Sequence, residues 1–439
     1  MRRFNWRWKM EKIYLADIAK YDGKEVLIEG WVYNIRSSGK IKFLIVRDGT
    51  GLIQAVAIKN EIEEKYFNDI DKLTQESSLR MWGPVRADKR ASGGWEMTLR
   101  GFEIIHISEE YPISLKDHGV AFLMDNRHLW IRSEKQRQIL KIRSEVVQAC
   151  RQFYYERGFT LIDSPILTPA ACEGTTTLFE TDYFEGKAYL SQSGQLYLEP
   201  ALAAFGKVYC FGPAFRAEKS KTRKHLQEFW IIEPEVAFAE HEDNIRLAEE
   251  FITYIVQWVL DKARPQLQIL ERDISRLEKV KTPFARFTYD EVISRLQKEG
   301  RDLKWGDDFG AEDETLIGTW AETPVVIEKH PAEMKAFYMQ PDEKDPKYVM
   351  SMDIFAPEGY GEIIGGSQRD HNYERLRKKI EEQKLPIEAF AWYLDVRRYG
   401  SVPHSGFGMG LERVVSWITG ASHIRETIPY PRMLYRLYP

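Results

Sequence analysis

The sequence predicts a mixed α/β (α+β) chain of two domains, a small all-β barrel followed by a larger domain of strands and helices. Three observations predict it. At 439 residues the chain is longer than a single core usually organises. Residues 11–108 read as short strands between turn signals, with one helical interruption. From residue 134 onward, apolar residues at helical spacing alternate with short strand-like runs.

The N-terminal strands are EVLIEGWVYNIR, KIKFLIVRD, LIQAVAI, LRMWGPVRA and WEMTLRGFEIIH, with Asp48-Gly49 and Gly93-Gly94 at hairpin positions. Five short strands with a helical insert near Glu61–Thr74 fit an OB-fold, a Greek-key barrel often used on single-stranded nucleic acid. Residues 109–133 read as a linker of mixed polarity. A helix is expected over Glu134–Arg157, where Ile139, Ile142, Val146, Val147 and Phe153 share a face, and Gly158 ends it. Phe159–Leu167 is expected as a strand, and Pro165 places it at a sheet edge. Asn244–Lys262 and Leu267–Lys279 read as helices, residues 265–345 as an insert of mixed character, and Leu411–Ile418 as a final helix.

Composition excludes several classes. With 43% hydrophobic and 30% charged residues, the chain has the make-up of a soluble globular protein. Its most apolar run, Phe251–Leu260, is interrupted by Thr253 and Gln257, so no membrane span is expected. Cys150, Cys172 and Cys210 form no CxxC pair, which fits a reducing cytoplasm and argues against a zinc ribbon or a disulfide framework. A net charge of −4 means that any nucleic-acid contact uses local patches. The opening MRRFNWRWKM carries four basic residues and no acid; residues 1–9 read either as an RNA-touching arm or as a disordered extension ahead of Met10.

The densest chemistry lies in Phe215–Glu235, FRAEKSKTRKHLQEFWIIEPE. It reads as two strands joined by a loop whose Lys219, Lys221, Arg223 and Lys224 carry four positive charges without an acid. Alternation puts Arg216 and Glu218 on one face. A strand-borne guanidinium beside a basic loop suits a polyphosphate; a solvated hairpin with a charged tip is the other reading.

This stretch resembles motif 2 of the class II aminoacyl-tRNA synthetases, in the form of the aspartate/asparagine/lysine subgroup. Two companions stand in the expected order: GFTLIDSPIL at Gly158–Leu167 resembles motif 1, and GFGMGLERV at Gly406–Val414 resembles motif 3. The resemblance covers essentially the whole chain. It implies an N-terminal anticodon-binding OB-fold over residues 1–108 and a catalytic domain over 134–439, built on an antiparallel β-sheet flanked by helices. It implies ATP as a substrate, Mg²⁺, a tRNA partner, and a homodimer formed through motif 1 around Pro165.

The site residues follow from the same resemblance. Arg216, Glu218 and Arg413 are the expected catalytic residues; Arg223, His225, Phe229 and Glu362 join them around ATP, with Phe229 stacked on adenine. Asp353 and Glu362 are the expected metal ligands, hard oxygen donors of the kind Mg²⁺ takes. Glu173, Gln192, Gln195, Glu228 and Arg369 are expected to hold the amino acid. In the barrel, Phe43 matches an anticodon-stacking aromatic and Gln54 a base-reading amide, and Arg36 and Lys40 are placed to neutralise nearby phosphates. On sequence alone Phe43 is more often a core residue.

Substrate choice turns on Leu198. Aspartate-specific members place a lysine there to meet the substrate carboxylate, and a leucine removes that cation. Glu228 is then expected to accept from a side-chain amide whose oxygen meets Arg369. The resemblance therefore implies activation of L-asparagine and charging of tRNA(Asn). The aspartyl branch, including its non-discriminating members, and a tRNA-independent asparagine synthetase are the alternatives.

Overall fold

The computed structural model describes residues 10–169, 178–220 and 222–439. The chain divides into a first unit reaching to Gly119 and a second spanning Val120–Pro439.

In the first unit, Glu25–Ser38 pairs antiparallel with both Ile41–Arg47 and Ser78–Ala87. Leu52–Ile58 continues from Ile41–Arg47 and runs parallel to Trp95–Thr98, which returns to Ser78–Ala87. Five strands thus close on themselves, and closure removes the sheet edges. The expected Asp-Gly turn is built by Asp48, whose carboxylate accepts from the backbone N–H of Thr50 (2.7 Å) and Gly51 (2.9 Å) while Gly49 takes φ +92°. Alternating Val26, Ile28, Leu44, Val46, Leu79 and Met81 fill the interior. The helical insert is shorter than expected, Glu64–Asp69 with a 3-10 turn Ile70–Lys72, and seats Phe67 and Ile70 on the barrel core.

The second unit holds an eight-stranded sheet. Its order is Ala285–Thr288, Val325–Glu328, Ser351–Ala356, Gly361–Arg369, His404–Gly410, Glu228–Ala237, Lys207–Phe215, Thr160–Leu161. The central six strands are antiparallel; only the two outermost pairings are parallel. Glu134–Glu156, His241–Lys262 and Leu411–Thr419 cover one face, burying Ile142, Val146, Phe251 and Val415 against Ile232, Phe407 and Met409. The period of two leaves Ile231, Glu233 and Gly408 to line cavities on the other face.

Several expected elements differ. Phe159–Leu167 is not one strand: Thr160–Leu161 joins the large sheet, Leu167–Thr168 joins a separate three-stranded sheet, and Pro165, which has no N–H to give a ladder, lies exposed between them. The helix expected from Asn244 begins at His241, because Glu240 and Asp243 form a reciprocal capping box. Leu267–Lys279 is two short helices, Arg264–Ile269 and Ile274–Leu277. Residues 265–345 contribute two strands to the edge of the large sheet. Within 109–133, Val120–Asp125 and Arg127–Trp130 are helical, and buried Arg127 donates to the carbonyls of Ile428 and Pro429 at 2.8 Å.

Candidate active site

Two adjoining cavities open on the uncovered face of the large sheet, and they share Arg216, Ile231, Glu362 and Gly408. The first is lined by Arg216, Glu218, His225, Phe229 and Arg413. The strand Lys207–Phe215 stops one residue before Arg216, so Arg216 and Glu218 lie on the loop rather than within the strand. The register persists through Arg216, whose N–H donates to Gln227 O at 2.9 Å, and its guanidinium lies 5.6 Å from the Phe229 ring centroid. Arg413, in the first turn of Leu411–Thr419, donates to Glu362 O at 2.7 Å. Neighbouring Glu412 is buried; it accepts from Trp230 N–H at 3.0 Å and pairs with Arg143 at 2.7 Å, tying motifs 2 and 3 to the helix that precedes motif 1.

The loop between the strands is anchored at several points. Lys224 Nζ meets Glu314 at 3.0 Å, and Arg223 O accepts from Ile424 N–H at 3.1 Å. Arg223 itself is exposed and lines a neighbouring cleft with Lys224 and Arg413, not the Phe229 cavity. His225 contacts Thr222 and Ser220, and burial together with the Arg413 charge pushes its pKa down. Lys221 lies outside the described residues.

The second cavity carries Asp353 and Glu362 from neighbouring strands. Burial and the facing Asp353 carboxylate push Glu362 up to about 7. Asp353 is pulled the other way: burial raises it, but Lys335, 2.7 Å away, holds it below its ordinary value. His330 Nε2 lies 3.1 Å from the same carboxylate. A Cβ on Gly365 would fall 3.0 Å from Glu362 and 3.5 Å from Asp353, so glycine leaves room between the two acids.

At the far end of that cavity stand Gln195, Glu233 and Arg369. Arg369 is 3% exposed; it pairs with fully buried Glu235 at 2.5 Å and donates to Ser367 Oγ at 2.8 Å. Glu233 accepts from Gly194 N–H at 2.6 Å and from the Ser193 hydroxyl. Three expectations are not met in this cavity. Glu228 is not beside Arg369: it opens its strand opposite Phe215, bridged to Arg432, and its even position faces away from the cavity that Phe229, Ile231 and Glu233 line. The acids at that end are Glu233 and Glu235, and alternation counted from Phe229 would have found them. Leu198 is fully buried in an apolar cluster with Leu202, Val208 and Cys210 and does not line the cavity. Gln192 is buried and does not line the cavity; Glu173 lies outside the described residues. Lys335 was not foreseen, because it sits just past a 3-10 turn without periodicity.

In the barrel, Phe43 is half-buried and absent from the core cluster, with the Arg36 guanidinium 5.9 Å from its ring. Arg36 donates to Gln54 Oε1, Gln54 Nε2 donates to Glu96, and Arg86 pairs with Glu96 at 2.6 Å. Gln54 is thereby held in one amide orientation beside the ring.

A mainly antiparallel sheet that brings Arg216, Phe229 and Arg413 to one cavity and a pair of acids to the next matches the arrangement expected of a class II synthetase. The chain belongs to the tRNA synthetases class II (D, K and N), which match residues 120–434; residues 26–106 match the OB-fold nucleic acid binding domain family. It is 58% identical over 430 residues to an asparagine–tRNA ligase of Desulforamulus reducens, covering 98% of this chain and 100% of that protein. It is 57% identical over 430 residues to that of Pelotomaculum thermopropionicum, with the same coverage. The crystal structure of Pyrococcus horikoshii asparaginyl-tRNA synthetase complexed with asparaginyl-adenylate superposes with a TM-score of 0.94 at 43% identity, covering 98% of this chain and 100% of that one.

Proposed function

We propose that the chain activates L-asparagine with ATP and transfers it to tRNA(Asn), releasing pyrophosphate and AMP. The observation that carries this reading is the continuity of the Arg216–Phe229–Arg413 cavity with one ending in Gln195, Glu233 and the Arg369–Glu235 pair. Arg369 is already neutralised by Glu235, and Glu233 adds a further negative charge. A side-chain amide fits that balance, because its NH₂ can donate and its oxygen can accept; a carboxylate meets repulsion of several kcal/mol at protein-like dielectric.

A carboxylate is already a nucleophile, so no side-chain nucleophile is needed. A carboxylate oxygen of asparagine attacks the α-phosphorus, and the bond to the pyrophosphate oxygen breaks. Arg216 is assigned to the α-phosphate, where charge builds, Arg413 and His225 to the outer phosphates, and Phe229 to the adenine face. The tRNA ribose hydroxyl then attacks the acyl carbon and AMP leaves. The space that Gly365 keeps between Asp353 and Glu362 fits a divalent cation. Mg²⁺ held there supplies charge neutralisation to the phosphates. Phe43, Gln54 and Arg36 are assigned to anticodon bases and phosphates. Exposed Leu161, Pro165, Ile166 and Leu167 support pairing of two copies through motif 1. No helix among the described residues is long and apolar enough to cross a membrane, and the reading places the enzyme in the cytoplasm.

ATP–pyrophosphate exchange with asparagine and aspartate side by side tests the reading. A preference for asparagine of at least about 1000-fold, on the order of 4 kcal/mol, is expected. Comparable exchange with both would move the chain to the aspartyl branch.

A further inference from the structure

Behind the amino-acid cavity lies a buried polar cluster centred on Glu199, which is 1% exposed. Its Oε1 accepts from Gln195 Nε2 at 3.0 Å. Its Oε2 accepts from Arg397 at 2.5 Å and from His404 Nε2 at 2.9 Å, and Tyr393 OH donates to both oxygens at 2.8 Å. The other His404 nitrogen, Nδ1, lies 2.8 Å from Val402 O. Both ring nitrogens therefore lie beside oxygen acceptors. Glu199 thus meets an arginine and a histidine at once. Burial opposes its charge, but Arg397 and His404 outweigh burial and hold its carboxyl well below the usual carboxylate range.

The cluster adjoins the Arg369–Glu235 pair: Glu199 and Arg369 attract, and Glu199 and Glu235 repel. Taken together, Arg369 and Arg397 stand against Glu199, Glu235 and the cavity-lining Glu233. Removing the Glu199 charge would make the surroundings of the cavity that receives the substrate side chain more positive by one charge. That field would favour a carboxylate substrate.

We propose that Glu199 is a specificity-determining positioning residue: it neutralises Arg397 beside His404 behind the cavity, denying a substrate carboxylate that charge, and it holds the Gln195 amide in one orientation. The proposal rests on the asparagine reading above. It assigns the selection against aspartate in part to a residue that touches no substrate.

The test uses the full-length protein in ATP–pyrophosphate exchange, with melting curves to verify folding. Glu199→Gln keeps an oxygen acceptor of nearly the same shape and removes the charge. It is expected to raise the aspartate-to-asparagine ratio of kcat/KM by about tenfold or more, whereas Glu199→Asp, which keeps the charge, retains the parent ratio. Glu199→Ser removes the charge with a smaller, hydrated side chain and should move the ratio in the same direction. A folded Glu199→Gln with an unchanged ratio overturns the proposal. Loss of folding in both neutral variants also counts against it, since Glu199 would then serve the fold alone. If the parent does not activate asparagine, the functional reading fails; if it does and the ratio stays put, only the role of Glu199 fails.

Discussion

Glu233→Gln separates the two faces of the strand Glu228–Ala237. Glu233 is 4% exposed, and its carboxylate accepts from Gly194 N–H at 2.6 Å and from the Ser193 hydroxyl. A glutamine can satisfy one of these donors with its oxygen; its NH₂ confronts the other. Hydrogen bonds to a charged acceptor contribute about 1.5–3 kcal/mol each, and the substrate amide loses its acceptor as well. A loss of about 3 kcal/mol in transition-state binding follows, roughly 100-fold in kcat/KM for asparagine. The assay is ATP–pyrophosphate exchange, with a melting curve to show that the variant is folded. Glu228→Gln, one register step away from the lining residues, should change kcat/KM by less than about twofold. The reasoning is refuted if Glu233→Gln keeps parent activity, or if Glu228→Gln falls as far.

Three further outcomes are expected. Arg216→Ala should reduce exchange by about 3 kcal/mol or more, the scale of losing one preorganised charge donor; an unchanged rate would remove it from the phosphate site. Phe43→Ala should weaken tRNA(Asn) binding in a filter or anisotropy titration by about 1–3 kcal/mol while exchange without tRNA is unaffected. An equal fall in exchange would make Phe43 a packing residue. Leu198→Lys should destabilise the fold by several kcal/mol, because the ammonium would enter the Leu202–Val208–Cys210 cluster; a folded variant with improved aspartate use would show that the side chain reaches the substrate after all.

The strands of the barrel were legible because half-buried strands alternate and Asp48-Gly49 marks its turn chemically. The long helices were legible for the parallel reason that Ile139, Ile142, Val146 and Phe153 repeat at helical spacing. The grouping of Arg216, Glu218, His225 and Phe229 around one cavity was legible too, since these residues lie close in sequence. The amino-acid end was not. Arg369 and Glu235 are 134 residues apart, and Arg397, His404 and Glu199 meet only through tertiary packing. Glu228 is one parity step out: within the strand Glu228–Ala237 the cavity-lining positions are Phe229, Ile231 and Glu233. Leu198 was read as a missing charge, although its neighbours Leu202, Val208 and Cys210 make it part of a core that sequence spacing does not reveal.

The acid pair makes a prediction about stability and pH that does not depend on turnover. Burial and the facing Asp353 push Glu362 from 4.5 up to about 7. Between those values the folded chain holds a proton that the unfolded chain has released, so stability falls as pH rises through this window and levels off above about 7. The shift corresponds to about 3 kcal/mol, present at low pH and lost at high pH. Glu199 has the opposite sign, but its contribution disappears only below the ordinary carboxylate range, outside this window. The difference in unfolding free energy between the parent and Glu362→Gln, measured by denaturant titration in chelator, should therefore shift by about 2–3 kcal/mol against the parent from pH 4.5 to 7. Added Mg²⁺ should stabilise the parent mainly above this window, because a divalent cation binds the ionised pair, and should have little effect on the variant. A flat difference curve would show that Glu362 is ionised throughout, and that Lys335 and Arg413 already neutralise the pair without a metal.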